Sequence, residues 1–197
     1  DALPIWVSMG VRYVESDPEI DYAANIKSLA EIIKAECAEK GVNMPQILME
    51  PGRSIVADAG ITLYTVGAKK EIPGFKNYVS IDGGMPDNPR YALYQSEYTV
   101  CVANRMNEPA DYECTIAGRC CESGDLIQEG VKIPEAQRDD ILAVLTTGAY
   151  NYAMSSNYNA IAKPPIIMLT KDSEYVAVKR ETFEDMEKLN RMLHEWM

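Results

Sequence analysis

The hydrophobic period changes near Asp58, and the change demands two unlike kinds of structure. Before it, Tyr22, Ile26, Leu29, Ile33 and Cys37 recur at spacings of three or four, which gathers them on one face of a helix over residues 21–40. Gly41 stands where such a helix stops. Short apolar runs at residues 3–7 and 46–49 flank it, so the N-terminal part reads as strand, helix, strand. That is a βαβ unit with its loops at the strand C-termini. After Asp58 the runs at 61–72, 78–82, 98–105, 112–117 and 141–146 are short, β-branched or aromatic, and punctuated by Gly, Pro, Asn and Asp. That pattern predicts an all-β Greek-key barrel or sandwich. Residues 166–169 and 175–178 predict a hairpin across 171–174. Thr182 with Asp185 resembles a capping box, opening an amphipathic helix that carries Met186, Leu189, Leu193 and Trp196. The expected fold class is therefore α/β plus all-β, divided into residues 1–58 and 59–197.

Composition narrows the function classes. A formal net charge of −11 argues against nucleic acid as a partner, because phosphate backbones need clustered Lys and Arg. It leaves room for a small anion held by one or two arginines. No apolar run is long enough to cross a bilayer, and the first residues lack the basic start and apolar centre of a signal peptide. The five cysteines are odd in number and irregularly spaced, which fits reduced thiols in the cytoplasm. With no CxxC pair and His194 as the single histidine, no metal site is expected. The chain opens inside an apolar segment without an initiating Met, as a piece of a longer protein would.

Four segments carry candidate chemistry. Gly118-Arg119-Cys120-Cys121-Glu122-Ser123-Gly124-Asp125 places thiols and carboxylates between glycines, and a thiol of tuned pKa can exchange protons. Glu50-Pro51-Gly52-Arg53 ends an apolar strand. Gly52 allows close approach of an anion, Arg53 offers a forked donor, and Glu50 can pair with a cationic ring nitrogen. An ordinary strand end with Glu50 and Arg53 paired to each other explains that segment about equally well. In residues 82–94, turn chemistry accounts for Gly83, Gly84, Pro86 and Pro89. It does not account for Arg90 and Tyr94, four apart at the loop's exit, where two donors can grip a carboxylate. Residues 148–159 hold Tyr150, Tyr152 and Tyr158 among amides and hydroxyls, a composition suited to a subunit interface or to ligand contact through Tyr150.

Taken in order, the four segments resemble the diaminopimelate decarboxylases, pyridoxal-phosphate enzymes that make lysine. The chain reads Glu-Pro-Gly-Arg at 50–53, Asp-Gly-Gly-Met at 82–85 with Arg90 and Ala-Leu-Tyr at 92–94, Cys-Glu-Ser-Gly-Asp at 121–125, and Gly-Ala-Tyr at 148–150 followed by Met-Ser-Ser-Asn-Tyr-Asn at 154–159. The resemblance runs from about Val11 onward. It implies the last part of an alanine-racemase-like (β/α)8 barrel followed by a β domain. It further implies that Glu50 faces the pyridine nitrogen and that Gly52 and Arg53 bind the cofactor phosphate, with Gly10 retained from a glycine-rich phosphate loop. Arg90 and Tyr94 would hold the substrate's distal carboxylate, with Arg53 also touching substrate. Cys121 would be the proton donor, Glu122 would bind the distal ammonium, and Tyr150 would contact both cofactor and substrate. The family donates the Cys121–Glu122 segment across a homodimer interface, so two shared sites are expected.

The implied reaction converts meso-2,6-diaminopimelate to L-lysine and CO2, with the cofactor's pyridinium ring as electron sink and a thiol as the acid. The family's cofactor lysine, and a histidine that stacks on the ring, lie upstream of the matching region, so residues 1–197 alone are expected to be inactive. Tyr91 stands where the family usually has proline, a departure expected to be tolerated. Two other readings remain. One is an ornithine- or arginine-decarboxylase-type fragment, since those enzymes share the Glu-Pro-Gly-Arg segment. The other is a non-catalytic β domain that binds a partner.

Overall fold

The computed structural model describes residues 3–4, 9–188 and 190. Two short parallel strands, β1 (Leu3–Pro4) and β2 (Ile47–Leu48), flank helix α1 (Tyr22–Glu39), giving the expected βαβ order. Residues 5–7 of the expected first strand lie outside the described residues. Asp21 caps α1 by accepting from Ala24 N at 2.9 Å. At the other end Gly41 adopts φ +64°, Val42 N donates to Cys37 O and Gly41 N donates to Ala38 O, a paired closure that the left-handed glycine makes possible. The apolar stripe has the expected period but no buried member. Tyr22 and Ile26 are exposed, and Leu29, Ile33 and Cys37 are half-buried. Two strands of two residues each are too small to cover an eighteen-residue helix.

Beyond the short helix α2 (Gly52–Val56) the chain builds one curved sheet from β3 (Ile61–Ile72), β4 (Lys76–Ile81), β5 (Val100–Val102), β6 (Tyr112–Ala117), β7 (Leu126–Ile133) and β8 (Ile141–Leu145). The order is β5-β8-β3-β4-β6-β7, antiparallel throughout except for the parallel β4–β6 pair. β3 spans the bend: its first half pairs with β8 and its second half with β4, with a register irregularity between Val66 and Lys69. The two ends of the sheet approach each other where Gln128 Oε1 of β7 accepts from Tyr98 N, just ahead of β5, at 2.7 Å. The result is a nearly closed six-stranded barrel.

Alternation fills the interior. Tyr64 and Val66, Val79 and Ile81, Cys114 and Ile116, and Leu142 and Val144 are each two apart and buried, joined by Tyr98, Val102, Ile127 and Ile133. Sequence period therefore locates β3, β4, β6 and β8 correctly. β5 is shorter than the 98–105 run, because residues 103–105 turn into a single 3-10 helix. Strand β7 is absent from the sequence expectation. Its period breaks at Gly130, which adopts φ +64°, and Gln128 is buried next to Ile127.

The hairpin of β9 (Ile166–Leu169) and β10 (Glu174–Val178) forms a separate two-stranded sheet, as expected. Helix α4 (Phe183–Glu187) opens on the expected capping box: Asp185 N donates to Thr182 Oγ1 at 3.1 Å and Thr182 N to Asp185 Oδ2 at 3.0 Å. Leu189, Leu193, His194 and Trp196 lie outside the described residues. No helix among the described residues is long and apolar enough to cross a membrane.

The end of α2 is fastened to the end of β8. Gly148 N donates to Ala57 O and Thr147 N to Gly60 O, both at 2.9 Å, and Ala57 is fully buried. This crossing carries residues 148–159 back across the loop that follows β4.

Candidate functional site

The loop after β4 is buried to an unusual degree for a connection: from Gly83 to Tyr91 every residue but Met85 is buried. Its glycines make that possible. A Cβ at Gly83 would lie 2.2 Å from Tyr64 Cε1, and one at Gly84 2.4 Å from Asp125 Oδ1. The loop delivers helix α3 (Arg90–Tyr94), which places Arg90 and Tyr94 on one face, four residues apart. Tyr91, the departure from the family pattern, is buried and donates its hydroxyl to Glu129 Oε2 of β7 at 2.9 Å.

Arg90 sits in a ring of phenols. Its Cζ lies 5.6 Å from the Tyr94 ring, 5.6 Å from the Tyr150 ring and 5.8 Å from the Tyr13 ring. One terminal nitrogen donates to Ser96 Oγ at 3.3 Å, and Nε is buried with no hydrogen-bond partner among the described residues. No carboxylate among the described residues forms an ion pair with it. A buried guanidinium faced by three aromatic rings, with no counter-ion among the described residues, is suited to a carboxylate from outside. Tyr94 and Tyr150 are exposed enough to meet one, and Tyr150 adopts φ +64°.

The Gly118–Asp125 loop is organised by its last residue. Asp125 is 3% exposed and accepts from Met85 N at 2.6 Å and Cys120 N at 2.7 Å; its carbonyl accepts from Gly118 N at 2.8 Å. Arg119 N donates to Gly83 O, so the loops after β4 and β6 are sewn together. Cys121 and Glu122 project outward from this base. Cys121 N donates to Asn159 Oδ1 at 2.8 Å, and Tyr158 Oη donates to Glu122 Oε2 at 3.4 Å. Ser156 N donates to Pro86 O, which ties residues 148–159 to the same assembly.

Burial separates the two neighbouring thiols. Burial pushes the Cys120 thiol up to about 12, reinforced by the charge and hydrogen bond of Asp125. Cys121 is exposed. Beneath the loops, burial raises Asp87 to about 6, against the Gly84 N–H and the charge of Arg119 and with Asp125 and Asp82 pushing the same way. Burial, then the same carboxylates, drives Tyr64 well above the usual phenol range.

Three of the four sequence segments thus converge, in two clusters: Arg90 with Tyr94 and Tyr150, and Cys121–Glu122 with Tyr158 and Asn159. No hydrogen bond or ion pair among the described residues links one cluster to the other. The fourth segment lies at the end of β2. Glu50 is exposed and Gly52 and Arg53 open α2, where a Cβ at Gly52 would meet nothing within 4 Å. The Gly10 carbonyl accepts from Tyr22 Oη at 2.9 Å.

Comparison with known proteins places this arrangement. Residues 13–148 match the family described as the pyridoxal-dependent decarboxylase C-terminal sheet domain. The chain belongs to this family. It is 46% identical over 181 residues to diaminopimelate decarboxylase of Bacillus subtilis, covering 92% of this chain and 41% of that protein. The Staphylococcus aureus diaminopimelate decarboxylase is 47% identical over 178 residues, covering 90% and 42%. The chain therefore spans about two fifths of the length of the curated relatives it matches. The crystal structure of the M. jannaschii diaminopimelate decarboxylase superposes with a TM-score of 0.86 at 27% identity, over 98% of this chain and 44% of that one. The Helicobacter pylori enzyme complexed with L-lysine gives 0.80 at 29%, over 95% and 43%. The diaminopimelate-decarboxylase-like character read from the four segments is thereby confirmed.

The family is pyridoxal-dependent, and the residues here fit that cofactor in part. An unobstructed Gly52 backbone beside the Arg53 guanidinium suits a phosphate, and the exposed Glu50 carboxylate suits a protonated ring nitrogen. Sequence reasoning missed Tyr13, Ser96 and the tie made by Asp125. Tyr13 and Ser96 lie in ordinary-looking stretches. Asp125 carried a signal in the Gly-Asp that closes its segment.

Proposed function

We propose that this chain is the C-terminal part of a pyridoxal-phosphate-dependent diaminopimelate decarboxylase, which converts meso-2,6-diaminopimelate to L-lysine and CO2. Residues 1–58 contribute the end of a (β/α)8 barrel and residues 59–197 a β domain. The observation that carries the reading is the ring of Tyr13, Tyr94 and Tyr150 around an Arg90 that forms no ion pair with a carboxylate among the described residues.

In this reading Glu50, Gly10, Gly52, Arg53 and Tyr150 hold the cofactor. When bound, the cofactor supplies an electron sink for the pair left behind as CO2 departs. Arg90 and Tyr94 bind the carboxylate at the substrate's far end, and Arg53 and Tyr150 also touch substrate. Glu122 pairs with the ammonium beside it. Discrimination follows, because a substrate lacking that second head leaves Arg90 and Glu122 without partners. Cys121 Sγ gives a proton to the carbon that has lost CO2. Cys121 and Glu122 are exposed, and no hydrogen bond or ion pair among the described residues joins them to the Arg90 cluster, which suits a homodimer in which each subunit lends Cys121 and Glu122 to the other's site. Five free cysteines suit a reducing, cytoplasmic setting.

A chimera tests the reading. This chain replaces the matching region of the B. subtilis enzyme, behind that enzyme's own N-terminal portion. It is expected to release CO2 from meso-diaminopimelate and not from ornithine. A folded chimera that retains pyridoxal phosphate but acts on ornithine alone, or on neither, overturns the proposal. Lysine/ornithine decarboxylase of Vibrio vulnificus shares the fold at 20% identity and TM-score 0.68, which says nothing of substrate.

A further inference from the structure

We propose that Tyr13 is a positioning residue that fixes the Arg90 guanidinium; the role rests on the reading of Arg90 as the carboxylate-binding group. Tyr13 belongs to the segment ahead of α1, far from α3 in sequence, yet it supplies one wall of the ring around Arg90 at 5.8 Å. Its own placement is rigid. The Tyr13 carbonyl accepts from Thr99 N at 3.1 Å and from Thr99 Oγ1 at 2.8 Å, and Asp17 Oδ2 accepts from Tyr13 N at 2.9 Å. The ring meets Tyr98 edge-on, with centroids 5.2 Å apart and planes at 76°, and packs against the barrel core.

The hydroxyl does none of this work. Tyr13 Oη is buried and has no hydrogen-bond partner among the described residues. The aromatic face is therefore the part of the side chain that acts, which separates two substitutions. Phenylalanine keeps the face that attracts a cation, whereas methionine fills similar space without it. Tyr94 and Tyr150, the other two walls, are exposed, so Tyr13 is the wall that stays fixed when a ligand enters. Arg90 Nε has no partner among the described residues, so the rings, Ser96 and the nearby Tyr98 hydroxyl set the direction of the guanidinium.

The test has two arms. In the 197-residue chain, the Arg90 Nε–H nuclear magnetic resonance, identified by its loss in Arg90→Lys, is expected upfield of other arginines because of the ring currents. Tyr13→Phe is expected to leave it there and Tyr13→Met to move it toward the others. Should Tyr13→Met fail to fold, Thr99→Val, which removes one of the two bonds on the Tyr13 carbonyl, is expected to move it in the same direction. In the chimera, Tyr13→Met is expected to raise KM for meso-diaminopimelate by roughly twofold to thirtyfold with kcat nearly unchanged, and Tyr13→Phe to restore KM. An Arg90 resonance indifferent to loss of the ring, or a Phe variant as impaired as Met, overturns the proposal. A wild-type chimera inactive on meso-diaminopimelate would instead sink the functional reading, while the resonance still reports on Tyr13.

Discussion

Gly84 and Asp125 are packed so closely that a Cβ on the first would lie 2.4 Å from a carboxylate oxygen of the second. The contact joins two loops that the sequence presents as separate motifs. Asp125 accepts from Met85 N on one side and Cys120 N on the other, inside a site from which water is nearly excluded. Replacing Asp125 by Ala orphans both N–H groups, and each buried, unpaired donor costs about 1–3 kcal/mol. Asp125→Ala is expected to lower stability in urea unfolding by roughly 2–5 kcal/mol, and Gly84→Ala to be destabilising through overpacking. A loss below about 1 kcal/mol for Asp125→Ala would show that the tie is not structural.

Asp87 makes stability depend on pH in a defined direction. Burial raises its carboxyl from 3.8 to about 6. A group that binds its proton more tightly when folded stabilises the fold while protonated, so its contribution is whole below pH 3.8 and lost as pH rises to about 6. Asp87→Asn keeps an oxygen for Gly84 N and removes the buried charge. It is expected to be more stable than the parent at pH 7.5, by about 1–3 kcal/mol, and no more stable near pH 4. Urea midpoints at the two pH values measure this, and an advantage that persists at pH 4 contradicts it.

The crossing of Gly60 and Gly148 explains why residues 148–159 lie where they do. A Cβ at Gly148 would stand 1.9 Å from the Val56 carbonyl oxygen, and one at Gly60 2.3 Å from Gly148 Cα. These neighbours are backbone and have no rotamer to yield. Gly148→Ala is expected to lower stability by roughly 2–5 kcal/mol in thermal or urea unfolding. A melting curve like the parent's would mean that α2 and β8 do not meet in this way.

Strands such as β3 and β6 were legible in the sequence because period-two alternation and burial coincide in them. β7 was not, because its two buried neighbours Ile127 and Gln128 break the alternation: Gln128 turns inward to meet Tyr98 N and close the barrel. The stripe on α1 was legible as a helix, but its exposure was not, since period says nothing about what is available to cover it. In the site, Arg90 and Tyr94 could be paired from their spacing alone. Tyr13 and Ser96 could not, because they reach Arg90 through the fold and belong to no motif.

The two neighbouring thiols are expected to differ sharply in reactivity. Burial and Asp125 push the Cys120 thiol up to about 12, and burial with the Glu113 charge pushes Cys114 up to about 12, so both stay protonated at pH 8. Cys121 is exposed. Brief iodoacetamide treatment of the folded chain, mapped by mass spectrometry, is expected to label Cys121 well before Cys120 and Cys114. Equal labelling of Cys120 and Cys121 would remove the basis for assigning them different roles. In the chimera, Cys121→Ala is expected to cost about 10²–10⁴ in kcat, whereas Cys120→Ser retains most activity.

That no hydrogen bond or ion pair among the described residues joins the Arg90 and Cys121 clusters bears on assembly. If each site takes Arg90 from one subunit and Cys121 from the other, a homodimer of the chimera holding Arg90→Ala in both copies is inactive, and so is one holding Cys121→Ala in both. A mixed dimer places both lesions in one site and leaves the other intact. Random exchange makes half of the dimers mixed, so mixing the two inactive variants under exchange conditions is expected to restore about a quarter of the parent activity. If instead each site draws both residues from the same chain, every site in the mixture carries a lesion and no activity returns. Sedimentation of the mixture, alongside the assay, distinguishes a failure to exchange from sites confined to one subunit.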